Sequence, residues 1–215
     1  MVNKMTVNPE ILEYIQRCIL PKYQSFDKAH NVNHANKTIE NSLLIAKDYD
    51  VDINKVYVIA AYHDIGLIGG RDGHEKLSAK LLMEDFELKK WFNENDLAEM
   101  AEAVEDHRAS NDHPPRNLYG KIVSEADRDV EYTSVLTRTI QYSLKQFPDY
   151  HGEQHFLQVQ EHMQEKYGEN GYLKLWLDTE INRRNLSEIR NAMRCGDKFK
   201  SDFMSIFDEL TRSSQ

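Results

Sequence analysis

The residues with the clearest chemical potential are His63 and Asp64, which stand side by side at the end of an apolar run and are soon followed by Gly66. An imidazole and a carboxylate can each bind a metal ion. Buried polar groups also need a partner, so the same two residues could be an ordinary polar pair at the end of a helix. Taken alone, the doublet leaves both interpretations open.

Further residues of the same two chemical types stand at predicted helix ends on both sides of the doublet. They are His34, His74, His107 and Asp127. Each of them alone would more often be structural than functional. Imidazoles and carboxylates brought together would form a mixed nitrogen and oxygen site, which suits Mn, Fe, Co, Ni or Zn and could accept Mg.

Helices must position these residues, because the chain is poor in turn-forming residues. It has 9 glycines and 5 prolines among 215 residues, and its 40% hydrophobic and 29% charged residues are ordinary for a globular protein. Apolar residues recur at helical spacing along most of the chain. We therefore predict an all-α fold, in which ligands from different helices meet in the core of a bundle.

The first predicted helix runs from 9 to about 20, and residues 27–34 lead into a second that ends at about 48. Further helices are predicted from 52 toward 66, from 74 to about 85, from 95 or 96 to about 107, from about 117 toward 144 and over roughly 153–167, with two more after them. Asn8 and Asp52 are predicted N-caps, and Pro21 is predicted to end the first helix. Residues 109–116 are predicted to form a loop.

The domain organisation is predicted from the break at Pro148 and Gly152. Residues 1–150 should form a metal-binding helical domain, and residues 151–215 a helical extension packed on the same core. The last helix carries an apolar stripe, which we assign to the core, with a homodimer contact as the alternative. Its residues are Phe199, Phe203, Ile206, Phe207 and Leu210.

Charge and cysteine content bear on partners and compartment. A net charge of −9 and a pI near 5.5 disfavour non-specific binding to nucleic acid or to anionic membranes. Cys18 and Cys195 are best interpreted as thiols of a cytoplasmic protein. The start of the chain is polar and lacks the apolar core of a signal peptide, and no apolar run approaches the roughly 20 residues that span a bilayer.

In chain order, these residues resemble the HD-domain superfamily of metal-dependent phosphohydrolases, which are all-α. The resemblance covers about residues 25–135. His34 matches the first ligand, His63 and Asp64 match the doublet within the string AAYHDIG, and Asp127 matches the final aspartate. The resemblance implies an enzyme that uses metal-activated water to hydrolyse a small phosphate ester or nucleotide.

Two histidines between the doublet and the final aspartate raise the question of a second metal ion. In binuclear branches of the superfamily, two such histidines bind it, and His74 and His107 stand in suitable places. Alternatively, they contact substrate or line the pocket. For the proton donor, Glu75, Asp106 and His107 are the candidates and the sequence does not rank them, while Asp64 and His107 are the residues predicted to take part in catalysis.

Basic residues near the ligands are candidates for binding a substrate phosphate. We predict this role for Arg71, Arg108 and Lys121, and Arg116 and Arg128 are further candidates. The alternative is that many of them are solvated surface charges.

The residues after the doublet narrow the branch. Leu67 and Ile68 stand where alarmone hydrolases of this superfamily have catalytic acids, and the missing Glu at 67 also argues against HD-type 5′-deoxynucleotidases. Two alternatives to a phosphohydrolase remain. One is a dinuclear-iron oxygenase of the same fold, which would need both His74 and His107 as ligands, and the other is a non-catalytic module that binds a nucleotide or metal.

Overall fold

The computed structural model describes residues 6–26, 30–108, 111, 113–128 and 130–212. These residues form helices and connecting turns, without a strand, which confirms the all-α prediction. The α-helices are α1 (Pro9–Tyr14), α2 (Val32–Ile45), α3 (Ile53–Tyr62), α4 (His74–Glu84), α5 (Glu94–Glu105), α6 (Leu118–Asp127), α7 (Tyr132–Gln146), α8 (Gly152–Tyr167), α9 (Glu180–Arg194) and α10 (Gly196–Arg212). Short helical turns cover Ile15–Ile19, Leu20–Ser25, Ala46–Asp48, Ile65–Gly69 and Glu87–Lys90.

The chain divides into two compact units, residues 1–128 and 129–215. Each unit has its own cluster of buried apolar side chains. Helix α7 belongs to the second cluster, where Val135 and Ile140 are buried with Phe156 and Phe199. The boundary predicted from the sequence, between residues 150 and 151, would instead leave α7 with the metal-binding part.

The long helix predicted from about 117 toward 144 is two helices. Helix α6 ends at Asp127, and α7 begins after Glu131, whose carboxylate accepts hydrogen bonds from the backbone N–H groups of Thr133 (2.9 Å) and Ser134 (2.7 Å). Glutamate is not among the usual N-cap residues, so this helix start cannot be predicted from residue type. The break puts Asp127 at a helix end.

The other helix boundaries follow the predictions more closely. Asn8 and Asp52 cap α1 and α3 with their side chains, as predicted. Pro21 does not end the first helical segment, because it lies in the first turn of the 3₁₀ helix Leu20–Ser25, where its missing N–H costs nothing. Helix α5 begins at Glu94, one or two residues before the predicted start, and its N-cap Asn93 forms a reciprocal capping box with Asp96.

Helix α3 is the centre of the first unit. Its residues Val58, Ile59, Ala60 and Ala61 have no exposed surface. Helices α2, α5 and α6 all pack against α3, and α4 packs against α5 and the turn Ile65–Gly69. The C-terminal end of α3 is therefore surrounded by the ends of other helices.

Two further sequence expectations can be compared with the structure. Phe199 and Phe203 of the apolar stripe are buried in the core of the second unit. Among the described residues, no helix is both long and apolar enough to cross a membrane. Residues 109, 110 and 112 of the predicted loop 109–116 lie outside the described residues.

Candidate metal centre

Six side chains from several helix ends meet around the end of α3, and they form two groups. Within each group, the ligand atoms all lie within 4.8 Å of one another. His34 comes from the first turn of α2, and His63 and Asp64 directly follow α3. His74 is the first residue of α4, His107 lies two residues after α5, and Asp127 is the last residue of α6.

The first group joins His34, His63 and Asp127. The Nε2 atoms of His34 and His63 are 3.0 Å apart. The Oδ1 atom of Asp127 lies 3.1 Å from His34 Nε2 and 3.7 Å from His63 Nε2. All these atoms point toward a common centre.

The second group joins Asp64, His74 and His107. Asp64 Oδ1 lies 3.1 Å from His74 Nε2 and 3.4 Å from His107 Nε2. The other oxygen of the same carboxylate, Oδ2, lies 3.3 Å from His63 Nε2 and 3.4 Å from His34 Nε2. Asp64 therefore faces both groups, with one oxygen toward each.

Backbone carbonyls fix the orientation of three imidazoles. The Nδ1 atoms of His63, His74 and His107 lie 2.8, 2.8 and 2.7 Å from the carbonyl oxygens of the residues three positions earlier. Because a carbonyl oxygen only accepts, each Nδ1 must carry the proton and donate it. The neutral form of each ring then presents the lone pair of Nε2 to the centre, as a metal ligand must.

The electrostatics reflect the close contact of carboxylates and imidazoles. Burial alone would raise the pKa of Asp64, yet the surrounding histidines, His63 foremost, hold that pKa far below its usual range. Burial alone would lower the pKa of His34, but hydrogen bonds to Asp127 and Asp64 outweigh it and raise that pKa to about 9. The carboxylates are thus ionised and attract a positive charge into the centre.

The donor set fits a divalent metal ion. Two Nε2 atoms only 3.0 Å apart need a proton or a cation between them, because two lone pairs at that distance repel each other. Ionised carboxylate oxygens complete both groups, and mixed imidazole and carboxylate sites suit first-row divalent metals. His34, His63 and Asp127 would hold one ion, and Asp64, His74 and His107 a second.

Comparison with known proteins gives the family. The HD domain family model matches residues 31–130, a span that contains all six side chains. Residues 31–130 are an HD domain. It is also similar to a solved structure described as a predicted HD superfamily hydrolase from an uncultured Thermotogales bacterium, with 21% identity, 91% of this chain and 90% of the other covered, and a TM-score of 0.56. No curated protein matches the sequence.

Close backbone contact at Gly66 holds the second group of ligands, Asp64, His74 and His107, in place. The N–H of Gly66 donates to the hydroxyl oxygen of Ser78 at 2.8 Å. A Cβ at position 66 would lie only 2.1 Å from the carbonyl oxygen of His74 and 2.6 Å from the backbone nitrogen of Ser78. The absence of a side chain at Gly66 therefore lets the first turn of α4, which carries His74, approach the end of α3.

The basic residues predicted to bind phosphate occupy different positions around the HD centre. Arg108 donates from Nη1 to Glu75 Oε2 at 3.2 Å, and the same oxygen lies 3.5 Å from His74 Nδ1. Arg71 has an exposed side chain, and its carbonyl accepts the hydrogen bond from His74. Lys121 is half-buried on α6 six residues before Asp127, which separates them by about 9 Å along the helix and about a third of a turn around it. Its role in binding phosphate stays a prediction.

Arg116 and Asp106 form an ion pair that was not predicted from the sequence. Asp106 is buried, and it accepts hydrogen bonds from the backbone N–H of Arg116 at 2.7 Å and from its Nε at 2.9 Å. Arg116 also contacts Glu105 at 2.6 Å. An arginine committed to two carboxylates is a poor phosphate ligand, and a carboxylate held by an arginine is a poor proton donor.

Tyr23 also contacts this centre, although nothing in the sequence indicated it. The hydroxyl oxygen of Tyr23 lies 3.2 Å from the backbone nitrogen of Asp64, across 41 residues of sequence. Tyr23 lies outside the matched residues 31–130, and its apolar surroundings resemble those of any core tyrosine. No pattern in the sequence could have singled it out.

Metal binding is expected to release protons. His34, with its pKa of about 9, carries a proton in the metal-free protein at neutral pH, and a metal ion must displace it. We expect the apparent affinity to fall by about tenfold per pH unit for each displaced proton as the pH falls from about 8 to 6.5. Calorimetric titration with Mn²⁺ or Ni²⁺ in buffers of different ionisation enthalpy counts the protons. A titration without proton release would contradict the assignment of His34 as a ligand.

Proposed function

We propose that this protein is a metal-dependent phosphohydrolase that acts on a small phosphate ester or nucleotide. The observation that carries the proposal is the position of Asp64, whose two carboxylate oxygens face two separate groups of ligands. A purely structural ion pair would not need five further ligand-type side chains around one carboxylate. The description of the structural relative as a predicted hydrolase agrees with this proposal.

The chain's own residues would divide the work as follows. His34, His63 and Asp127 would hold one divalent ion, His74 and His107 a second, and Asp64 would contact both. Divalent ions bound in such a site lower the pKa of coordinated water and polarise a phosphoryl oxygen. The protein supplies rigid placement, since each ligand is anchored at the end of a packed helix.

Substrate would approach from the side of His34 and Asp127. Their side chains are 23% and 22% exposed, whereas those of His63 and His107 are 0% and 3% exposed. Arg108, which pairs with Glu75 beside His74, is 35% exposed. We propose Arg71 and Arg108 as the cations that stabilise the phosphate, with Arg108 exchanging its partner Glu75 for a phosphate oxygen.

Each of the three candidates for the proton donor to the leaving group is held by other contacts in the structure. Burial raises the pKa of Glu75, but backbone and Arg108 contacts outweigh this and lower it, so Glu75 is ionised at neutral pH. Asp106 is occupied by Arg116. His107 has Nδ1 bound to Val104 and Nε2 directed at Asp64, so the roles of metal ligand and proton donor would compete for one nitrogen. We favour the ligand role.

A dinuclear-iron oxygenase is the second candidate, and one observation favours it. Such an enzyme requires both His74 and His107 as ligands, and both lie against the same oxygen of Asp64. The metal that the protein retains and its use of oxygen separate this candidate from a phosphohydrolase.

Metal content with a substrate screen tests the proposal. Protein purified without chelator should contain two equivalents of a divalent metal by elemental analysis, and should hydrolyse p-nitrophenyl phosphate or nucleoside monophosphates when Mn, Co, Ni or Mg is added. His74→Ala should retain one equivalent, because His34, His63 and Asp127 are untouched. His162→Ala, in α8 of the second unit, is the matched control and should retain both.

The alternative outcomes are distinct. Two iron atoms with oxygen consumption and no phosphatase activity would support the oxygenase. A protein that binds metal but turns over no substrate would support a binding module, and a protein that binds no divalent metal would overturn all three.

A further inference from the structure

The backbone stops being helical at the doublet His63–Asp64. Helix α3 ends at Tyr62, and Asp64 has φ −109° and ψ 5°, outside the helical region. In a continuing helix, the N–H of Asp64 would donate to the carbonyl of Ala60, four residues earlier. Here that carbonyl accepts the Nδ1–H of His63 instead, at 2.8 Å. The N–H of Asp64 therefore needs another acceptor.

Tyr23 supplies that acceptor. Its hydroxyl oxygen lies 3.2 Å from the backbone nitrogen of Asp64, which donates to it, and the hydroxyl itself donates to the carbonyl of Ala61 at 3.0 Å. In a continuing helix, that carbonyl would have accepted from Ile65. One hydroxyl group thus replaces two helical hydrogen bonds at the point where the helix stops.

The ring of Tyr23 is fixed by its surroundings. Its side chain has no exposed surface, and it packs edge-on against Phe26 with ring centroids 5.2 Å apart. Its ring also lies 6.3 Å from that of His63, centroid to centroid. Tyr23 belongs to the helical turn Leu20–Ser25, before the matched HD residues. The N-terminal segment therefore reaches the metal centre through this residue.

We infer that Tyr23 is a positioning residue, which holds the backbone of Asp64 so that its two carboxylate oxygens face the two histidine groups. The effect of Tyr23 on catalysis rests on the proposed function, whereas its hydrogen bond to the Asp64 backbone is present in the metal-free protein. A rotation of the Asp64 backbone would turn one oxygen away from His74 and His107, or the other from His34 and His63. Loss of the hydroxyl should therefore weaken metal binding without removing any ligand.

Tyr23→Phe tests the inference, because it removes one oxygen and keeps the ring. The matched control is Tyr14→Phe, which removes another N-terminal tyrosine hydroxyl, one that contacts Asp85 rather than the metal centre. Metal affinity should fall about 10- to 100-fold in Tyr23→Phe, the usual effect of losing a group that orients a ligand. Tyr14→Phe should bind Mn²⁺ or Co²⁺ as the wild type does, even where it lowers stability.

Amide hydrogen exchange of the metal-free proteins is the second measurement. The N–H of Asp64 should be protected in the wild type and in Tyr14→Phe, and should exchange at least about tenfold faster in Tyr23→Phe. Unchanged metal affinity in a folded Tyr23→Phe would overturn the inference. An unprotected Asp64 amide in the wild type would overturn it too, whether or not the variant folds. If the wild type binds no metal, the proposed function fails while the exchange data still decide the role of Tyr23.

Discussion

Asp64→Asn is expected to abolish turnover, with kcat/KM reduced by at least about 10³-fold, or about 4 kcal/mol of transition-state stabilisation. The change keeps the size of the side chain but removes the negative charge and replaces one of the two oxygens by an NH₂ group. Either the group with His74 and His107 or the group with His34 and His63 then faces a hydrogen-bond donor. Elemental analysis should show fewer than two metal equivalents, and the loss of metal should accompany the loss of activity.

Asp72→Asn is the matched control for that experiment. Asp72 is exposed in the loop that precedes α4, eight residues after Asp64, and its substitution also removes one negative charge close to the site. Its activity and metal content should equal those of the wild type. Activity of Asp64→Asn within tenfold of the wild type would show that the carboxylate does not join the two groups, and would remove the main support for the proposed function.

Gly66→Ala should have the second largest effect, on stability and metal content together. The added Cβ would stand 2.1 Å from the carbonyl oxygen of His74 and 2.9 Å from Oγ of Ser78, and backbone atoms cannot yield as a flexible side chain can. Overpacking of this kind costs about 1–3 kcal/mol, occasionally more, and this contact is at the severe end. Denaturant unfolding should show a loss of about 3 kcal/mol. Because α4 must move away, His74 should no longer reach Asp64.

Gly196→Ala provides the control for the general effect of replacing glycine by alanine. A Cβ at Gly196, the first residue of α10, would meet no atom within 4 Å. This variant should unfold at the same denaturant concentration as the wild type or at a slightly higher one, since alanine restricts the unfolded chain. If Gly66→Ala were as stable as Gly196→Ala and kept two metal equivalents, α4 would not depend on its close contact at Gly66.

Two of the basic residues proposed from the sequence to bind phosphate are paired with carboxylates in the structure. The sequence shows that Arg108 and Arg116 follow the ligands closely, and from that spacing both were candidates for binding phosphate. The structure pairs Arg116 with Asp106 and Glu105, and Arg108 with Glu75. An arginine side chain can reach several neighbours, and which carboxylate it meets depends on the tertiary packing around it.

The sequence by itself determined the chemical types of the ligands, their order and the all-α class. These are local properties: a doublet at the end of an apolar helix, glycines after it, and polar residues at helix ends can be recognised over short stretches. Only the tertiary structure decided which oxygen of Asp64 faces which histidine and that helix α6 ends at Asp127. It also decided that the hydroxyl of Tyr23 accepts a hydrogen bond from the backbone N–H of Asp64. Those contacts join residues far apart in the sequence, so they are fixed by how the helices pack and not by any periodicity along the chain.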